Sequence, residues 1–265
     1  MRSPLAVFRR TMRESLLPLI GWIVGIVGAI LIYLPIYESM AGDGQIQAMM
    51  DSLPPEMVAA LGYDQIGSGA GYTQATFFGL VGFALFVIAA TGWGAGAIGG
   101  AEESGRLELD LAHGVGRVGY ALEQGLAIVV RVLALGVAAG LVILAINEPS
   151  RLELPAAGVV LAVLALSGLA LLSGTLALLV GALTGRRIWA VGLGAGVAVA
   201  GYALNAVGRQ SDDAAWMRTL SPYAWAYRDP PLEGEASAGI LLVWAVALGL
   251  AAAAAWALHR RDVTG

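Results

Sequence analysis

Residues 156–183 read AAGVVLAVLALSGLALLSGTLALLVGAL and contain no charged side chain. A helix needs about 20 apolar residues to cross a hydrocarbon core about 30 Å thick, and this run exceeds that length. Inside a bilayer only helices and closed barrels satisfy every backbone hydrogen-bonding group. Because the run is continuous rather than alternating, it predicts a membrane-spanning helix.

Five further apolar runs of similar length define the rest of the predicted fold. The six bounds are Leu16–Tyr37, Thr76–Ile98, Leu122–Ile146, Ala156–Leu183, Ile188–Val207 and Ala238–Leu258. Of the 265 residues, 58% are hydrophobic and 13% are charged, and the mean hydropathy is +0.77. Soluble domains are about half apolar and about a quarter charged. The sequence therefore predicts an all-α membrane protein with six transmembrane helices, forming a single transmembrane domain over residues 1–265.

The first apolar run follows Arg2, Arg9 and Arg10, as the core of a signal peptide would. It is longer than the usual core of about 7–15 residues, and no small-residue cleavage site follows it. We therefore expect a retained span.

Arginine asymmetry sets the predicted orientation, because cytoplasmic loops carry the excess of basic residues. With the N-terminus inside, the cytoplasmic arginines are Arg2, Arg9, Arg10, Arg13, Arg106, Arg117, Arg186, Arg187, Arg260 and Arg261. The outer arginines are Arg151, Arg209, Arg218 and Arg228. Both termini are therefore expected in the cytoplasm, with outer loops at 38–71 and 209–236. The first outer loop is expected to turn at Pro54-Pro55 and to form a short helix over Glu56–Leu61.

Composition excludes several classes of function. The chain has no cysteine and no lysine, so all 15 basic residues are arginines. A phosphate-binding loop needs a lysine, so the chain is not a conventional P-loop ATPase by itself. The net charge of −4 does not favour a nucleic-acid partner. His113 and His259 lie in separate segments, and we expect no catalytic residue, metal site or cofactor in this chain.

Two short cytoplasmic segments carry amphipathic patterns. Residues 1–15 fit an interfacial helix on the inner leaflet, or an ordinary charged flank. In the segment 100–119, the i, i+4, i+8 spacing of Glu102, Arg106 and Asp110 predicts a charge ladder on one helix, ended by Gly114 and Gly116. That helix would transmit force from a cytoplasmic partner, or the segment is only a solvated connector.

Candidate substrate-path residues are Glu123, Arg131 and Asn205. An ionisable group at depth usually faces a cavity or a partner. Arg131 could contact an anionic substrate, a lipid headgroup or Glu123, or it could extend toward the inner surface. No Asp lies inside a predicted span, which disfavours proton coupling.

Glycine spacing and a helix-breaking stretch complete the list of features. Small residues four apart allow close helix packing, and the pairs and triplets are Gly21/Gly25, Gly92/Gly96/Gly100, Gly136/Gly140 and Gly192/Gly196. Before the sixth apolar run, residues that break helices predict a re-entrant or interfacial element. Its candidate residues are Ser221, Pro222, Tyr223 and Trp225. Its aromatic residues are otherwise expected in the belt at the membrane–water boundary.

Residues 101–124, AEESGRLELDLAHGVGRVGYALEQ, resemble the pattern E-E-x-G-x-L-E-L-L-L-x-x-P-V-x-R of type-2 permeases of ATP-binding-cassette (ABC) exporters. Asp110 stands where leucine is common in that family, and Gly114 where proline is common. The stretches LPPEMVAALGYDQIGSGAGY, TLSPYAWAYRDPPLEGE and ALHRRDVTG also resemble family segments, in the same order along the chain.

The resemblance implies a permease subunit that moves an amphipathic, drug-like or lipid-like substrate across a bacterial cytoplasmic membrane. Two protomers, as a homodimer or heterodimer, would lie above two separate ATPase subunits that bind ATP and Mg²⁺. The segment between spans two and three would be the coupling helix. Its expected ATPase-coupling residues are Glu102, Glu103, Gly105, Arg106, Leu107, Glu108, Leu111 and Arg117. The alternatives are a partner-independent secondary transporter or channel, and a non-transporting membrane scaffold.

Overall fold

The computed structural model describes residues 5–42, 52–54, 57–58, 65–112 and 114–261. Within these ranges the chain is helical and forms no β-strand. Six helices are long and apolar enough to cross a membrane: Leu16–Met40, Gly69–Ala97, Arg117–Asn147, Ala156–Thr184, Arg187–Gly208 and Ala238–Arg260. The prediction of a six-span α-helical membrane protein is confirmed. The short helix expected at Glu56–Leu61 lies mostly outside the described residues, as does His113.

Each of the first two spans is built from more than one helical segment. Helix α1 (Ala6–Glu14) precedes the first span, which consists of α2 (Leu16–Tyr33) and α3 (Ile36–Gly42). The break between α2 and α3 is at Pro35, which has no N–H to donate to the helix. The second span begins with α4 (Gly69–Thr73), continues as a π-helical segment over Gln74–Val81 and ends as α5 (Gly82–Ala97). It therefore starts seven residues earlier than the predicted Thr76 (76 − 69 = 7).

The remaining elements alternate long spans with short connecting helices. Helices α6 (Gly99–Glu103) and α7 (Arg106–Ala112) precede α8 (Arg117–Asn147), α9 (Ala156–Thr184) and α10 (Arg187–Gly208). A 3-10 helix (Asp212–Leu220), α11 (Pro222–Ala226) and a second 3-10 helix (Pro231–Glu233) lead to α12 (Ala238–Arg260).

Helix α9 is the centre of the bundle and packs against α5, α8, α10 and α12. Most of α9 is buried, whereas the first, fifth and sixth spans leave most of their surface open. The closest approach joins α5 to α9, where a Cβ added to Gly94 would lie 1.9 Å from the carbonyl oxygen of Gly174. Glycine is required at this crossing because the two backbones leave no room for a methyl group.

The spacing of glycines predicted only part of this packing. Gly136 and Gly140 do face α9, at 2.7 Å from Ser167 Oγ and 3.3 Å from Val163 Cγ2 for an added Cβ. Six other glycines singled out by spacing meet no atom within 4 Å: Gly21, Gly25, Gly92, Gly96, Gly192 and Gly196. For these positions the structure shows no close contact inside the protomer, and close packing against a second protomer stays a prediction. They leave small, open faces on α2, α5 and α10.

Both ends of the described chain lie at the same end of the bundle as α6 and α7. Arg10 of α1 binds Asp110 of α7, and Arg117 at the start of α8 donates to the carbonyl oxygen of Arg261 at 2.7 Å. This arrangement follows from an even number of spans. We refer to this end as the inner end, as the arginine distribution predicts.

Candidate functional site

The segment between the second and third spans is two short helices rather than one. Helix α6 ends at Glu103, and α7 begins at Arg106. Gly105 between them has φ +69°, a left-handed conformation that glycine adopts without steric cost. The predicted ladder of Glu102, Arg106 and Asp110 is therefore wrong, because Glu102 lies on a different helix from the other two.

Glu102 instead binds inward. Its carboxylate forms an ion pair with Arg261, and the two side chains are only 15% and 23% exposed. Arg261 also donates to the carbonyl oxygen of Ala182 at 3.1 Å, near the end of α9. Gly185 ends α9 with φ +65° and leaves room for the carboxylate, since an added Cβ would lie 2.6 Å from Glu102 Oε1. Glu102 thus joins α6 to the ends of α9 and α12.

Glu103 has a different role, although it is the next residue. Its Oε1 accepts a hydrogen bond from the backbone N–H of Arg187 at 2.9 Å. That N–H is at the first turn of α10, where N–H groups have no partner inside the helix. The carboxylate therefore caps α10 from the surface.

We expect Glu102→Gln to lower the free energy of unfolding by about 2–4 kcal/mol, because it leaves the partly buried Arg261 without its counter-charge. Glu103→Gln is the matched control. Its side chain is exposed and its amide oxygen can still accept from Arg187, so we expect a loss below about 1 kcal/mol. Thermal unfolding of the two variants in the same detergent measures the difference. Equal losses would contradict the structural role of Glu102.

Helix α1 is fastened to α7 and α8. Arg10 forms a bidentate pair with Asp110, at 2.6 Å to Oδ1 and 2.9 Å to Oδ2. The hydrogen bond to the Asp110 carboxylate raises the pKa of Arg10 above its ordinary value. Glu123 Oε2 accepts from the backbone N–H of Phe8 at 2.9 Å. The N-terminal segment predicted as an interfacial helix is helical over residues 6–14. Its contact with the inner leaflet of the membrane stays a prediction.

One face of α7 points away from the bundle. Leu107 is fully buried, whereas Leu109 is 62% exposed and Arg106 and Ala112 are exposed. Glu108 and Leu111 are half-buried. A groove of about 710 Å³ lies between α1 and α7 and includes Leu109 in its lining. Leu109 is thus an exposed apolar side chain on a face that also carries charge. We call Arg106, Leu109 and Ala112 the α7 face.

A cavity of about 250 Å³ opens at the inner end between α1, α2, α5 and α8. Arg131 of α8 lines it and is only 5% exposed. Its Nε donates to the carbonyl oxygen of Ala127 at 3.0 Å, and its guanidinium lies over the Trp93 ring at 4.7 Å from the centroid. This cation–π contact offsets part of the cost of burying the charge.

The structure separates the three candidate substrate-path residues. Glu123 binds Phe8 of α1, so the proposed pairing of Arg131 with Glu123 is not formed. Arg131 lines the inner cavity, whereas Asn205, which is 8% exposed, lines a second cavity at the opposite end of the bundle.

The element before the sixth span is wedged into the bundle. Pro222 begins α11, and Ser221 caps it by accepting from the Ala224 N–H at 3.0 Å. Ser221 also donates to the carbonyl oxygen of Gly201 at 2.5 Å, which fixes α11 to α10. Trp225 Nε1 donates to the carbonyl oxygen of Thr219 at 2.7 Å.

Tyr223 is a core residue, so the alternative interpretation as a belt residue is wrong for this position. It is 8% exposed, and its ring packs edge-on against Phe83 and Tyr202 at 5.2 and 5.3 Å between centroids. Edge-to-face geometry is favourable for aromatic pairs at this separation. The ring therefore anchors α11 in the core.

The outer cavity, of about 140 Å³, lies beside α11 and was not anticipated from the sequence. Its polar lining comes from two stretches that are distant in sequence: Gln65, Gln74, Tyr202, Asn205, Arg209, Arg218, Tyr223, Tyr227 and Arg228. Three of these residues are arginines of the predicted outer loops. The sequence gives their number, but it does not predict that they lie around one cavity.

Residues 1–259 match the family model of the C-terminal domain of the multidrug efflux system permease Rv1217c. No curated protein matches the chain.

Proposed function

Because this chain belongs to the family of the C-terminal domain of the multidrug efflux system permease Rv1217c, we propose that it is the membrane subunit of an ABC exporter whose transport is driven by ATP. Its cargo is an amphipathic, drug-like or lipid-like molecule. ATP and Mg²⁺ bind to two copies of a separate ATPase subunit at the inner end. The complex works in a bacterial cytoplasmic membrane.

One observation supports the coupling in particular. Arg10 and Arg106 line both the inner cavity and the groove beside the α7 face. A force applied to α7 from the inner side therefore acts directly on residues that line the inner cavity. Because Arg10 is also bound to Asp110, α1 moves with α7.

The size of the inner cavity supports an assembly of two protomers. Pockets for drug-sized molecules are about 300–1,000 Å³, and the inner cavity of one protomer is about 250 Å³. The open glycine faces belong to α2, α5 and α10, and α5 contacts both of the other two helices. A second permease protomer on these faces would enlarge the cavity into a shared substrate chamber. Trp93 and Arg131 would then offer an aromatic surface and a cation to the cargo.

Reconstitution in proteoliposomes tests this function. We expect movement of a fluorescent amphipathic dye only when the chain, the ATPase subunit and Mg²⁺-ATP are all present. Omission of ATP, or replacement of ATP by a non-hydrolysable analogue, is the control for energy coupling. Dye movement by this chain alone, without ATP, would instead identify a secondary transporter or channel.

A further inference from the structure

The outer cavity contains polar atoms that have no partner among the residues the structure describes. Buried and without a hydrogen bond are Gln74 Oε1, Arg218 Nε and Tyr227 Oη, and all three residues line this cavity. In folded proteins the large majority of buried polar atoms are hydrogen-bonded. Three orphaned groups around one small volume indicate a place for a polar ligand.

The charge of the lining residues favours a negatively charged ligand. Arg209, Arg218 and Arg228 line the cavity, and no carboxylate lies among its described lining residues. Tyr227 adds a phenol hydroxyl without a partner among the described residues, whereas the Tyr223 hydroxyl donates to the carbonyl oxygen of Gly79 at 3.4 Å. Two of the three orphaned atoms, Arg218 Nε and Tyr227 Oη, are donors, so the site is suited to an oxyanion, whereas Gln74 Oε1 is an acceptor and takes no part in that binding.

The backbone is shaped to present these groups. Gln74 is the first residue of the π-helical segment, and π-helical turns are frequent at functional sites. At Gly208 an added Cβ would lie 2.6 Å from Arg218 Cγ, so glycine allows the Arg218 stem to lie against α10. The side chain is held there by packing before any ligand binds.

The volume limits the size of the ligand. The cavity has a volume of about 140 Å³. That space suits a single tetrahedral oxyanion and is far below the pocket volume of a drug-sized molecule. Arginine binds phosphate oxygens in a bidentate manner, so phosphate is the favoured chemistry.

The elements around the cavity carry residue types that are typical of the depth of lipid headgroups. Arg218 is on the 3-10 helix Asp212–Leu220, which also presents Trp216 and Leu220 with 57% and 58% of their surface exposed. Tryptophan is enriched at the membrane–water boundary, and a basic residue beside it reaches headgroup phosphates.

We propose that the outer cavity binds a phosphate group, held chiefly by Arg218, Arg228 and Tyr227. The two sources of that group are the headgroup of an anionic lipid in the outer leaflet and free inorganic phosphate. The site lies at the opposite end of the bundle from α7, and it does not depend on ATP-driven transport.

Binding is measured with the chain in nanodiscs of zwitterionic phosphatidylcholine. One arm titrates radiolabelled inorganic phosphate, and the other replaces part of the lipid by labelled phosphatidylglycerol. We expect saturable binding in at least one arm. Saturation with phosphatidylglycerol alone assigns the lipid source, and saturation with inorganic phosphate assigns the soluble source.

Substitution at the cavity links the binding to the site. Charge-assisted hydrogen bonds are worth about 1.5–3 kcal/mol, so Arg218→Gln should weaken binding at least tenfold. Tyr227→Phe removes one hydroxyl and serves as a second, milder variant. Arg151→Gln, at an exposed outer arginine paired with Glu38, should leave binding unchanged. No saturable binding in either arm, or equal affinity in wild type and Arg218→Gln, overturns the proposal whether or not the chain transports dye.

Discussion

Gly94→Ala is expected to destabilise the folded chain by about 3 kcal/mol or more, at the upper end of what an added methyl group costs in a packed core. The new Cβ would lie 1.9 Å from the carbonyl oxygen of Gly174 and 3.1 Å from the Ala177 Cβ. A backbone oxygen cannot rotate away as a flexible side chain can. Helix α5 would therefore separate from α9, the central helix of the bundle, and lose dispersion contacts along the crossing.

Gly249→Ala is the matched control because it makes the same substitution inside a spanning helix, α12, that is not among the faces proposed for a second protomer. An added Cβ at Gly249 meets no atom within 4 Å. Alanine also has a higher helix propensity than glycine by about 1 kcal/mol, so this variant should be neutral or slightly stabilised. The yield of monodisperse protein after extraction and the midpoint of thermal unfolding measure both variants. Equal behaviour of the two would contradict the close α5–α9 crossing.

The number and position of the spans could be predicted because hydrocarbon thickness imposes a length on each apolar run. The early start of the second span could not be predicted in this way. Its first turns carry Gln74, whose side chain is turned toward the interior of the protein. From the sequence alone, a polar residue such as Gln74 favours a loop, because the elements that surround its side chain are not known.

The fate of the acidic pair in α6 shows what sequence spacing leaves out. Helical periodicity predicts that Glu102 lies on the same helix face as Arg106. The helix instead ends before Gly105, and Glu102 pairs with Arg261, which is 159 residues away in sequence. Glu103 caps α10. Partners so distant in sequence carry no local signal, and the same is true of Arg10 and Asp110. A substitution at Glu102 or Asp110 would therefore test folding before it tested docking.

Aromatic residues near a span boundary pose a similar problem. Tyr223 and Trp225 both fit the aromatic belt by position. The structure buries Tyr223 against Phe83 and leaves Trp225 half-buried. What decides between belt and core is the close approach of α11 to α10 at Gly201, where an added Cβ would lie 3.3 Å from Pro222 Cδ. That approach is a tertiary property.

The α7 face remains the place where docking can be tested without disturbing the fold. Leu109→Arg puts a charge at the centre of the proposed contact with the ATPase subunit. Because a side chain at the centre of an interface often contributes about 2 kcal/mol or more, we expect affinity for the ATPase subunit to fall about 30-fold. The side chain is 62% exposed, so the folded state should tolerate the substitution.

Leu220→Arg is the control for this prediction. It makes the same chemical change at a side chain with 58% exposure, at the outer end of the bundle where no ATPase subunit can reach. Co-purification with the ATPase subunit and dye-stimulated ATP hydrolysis should be lost in Leu109→Arg and kept in Leu220→Arg. Since Leu109 makes no part of the Glu102–Arg261 or Arg10–Asp110 pairs, such a loss would assign coupling to the surface of α7 rather than to the stability of the inner end. Retention of both activities in Leu109→Arg would move the docking site away from α7.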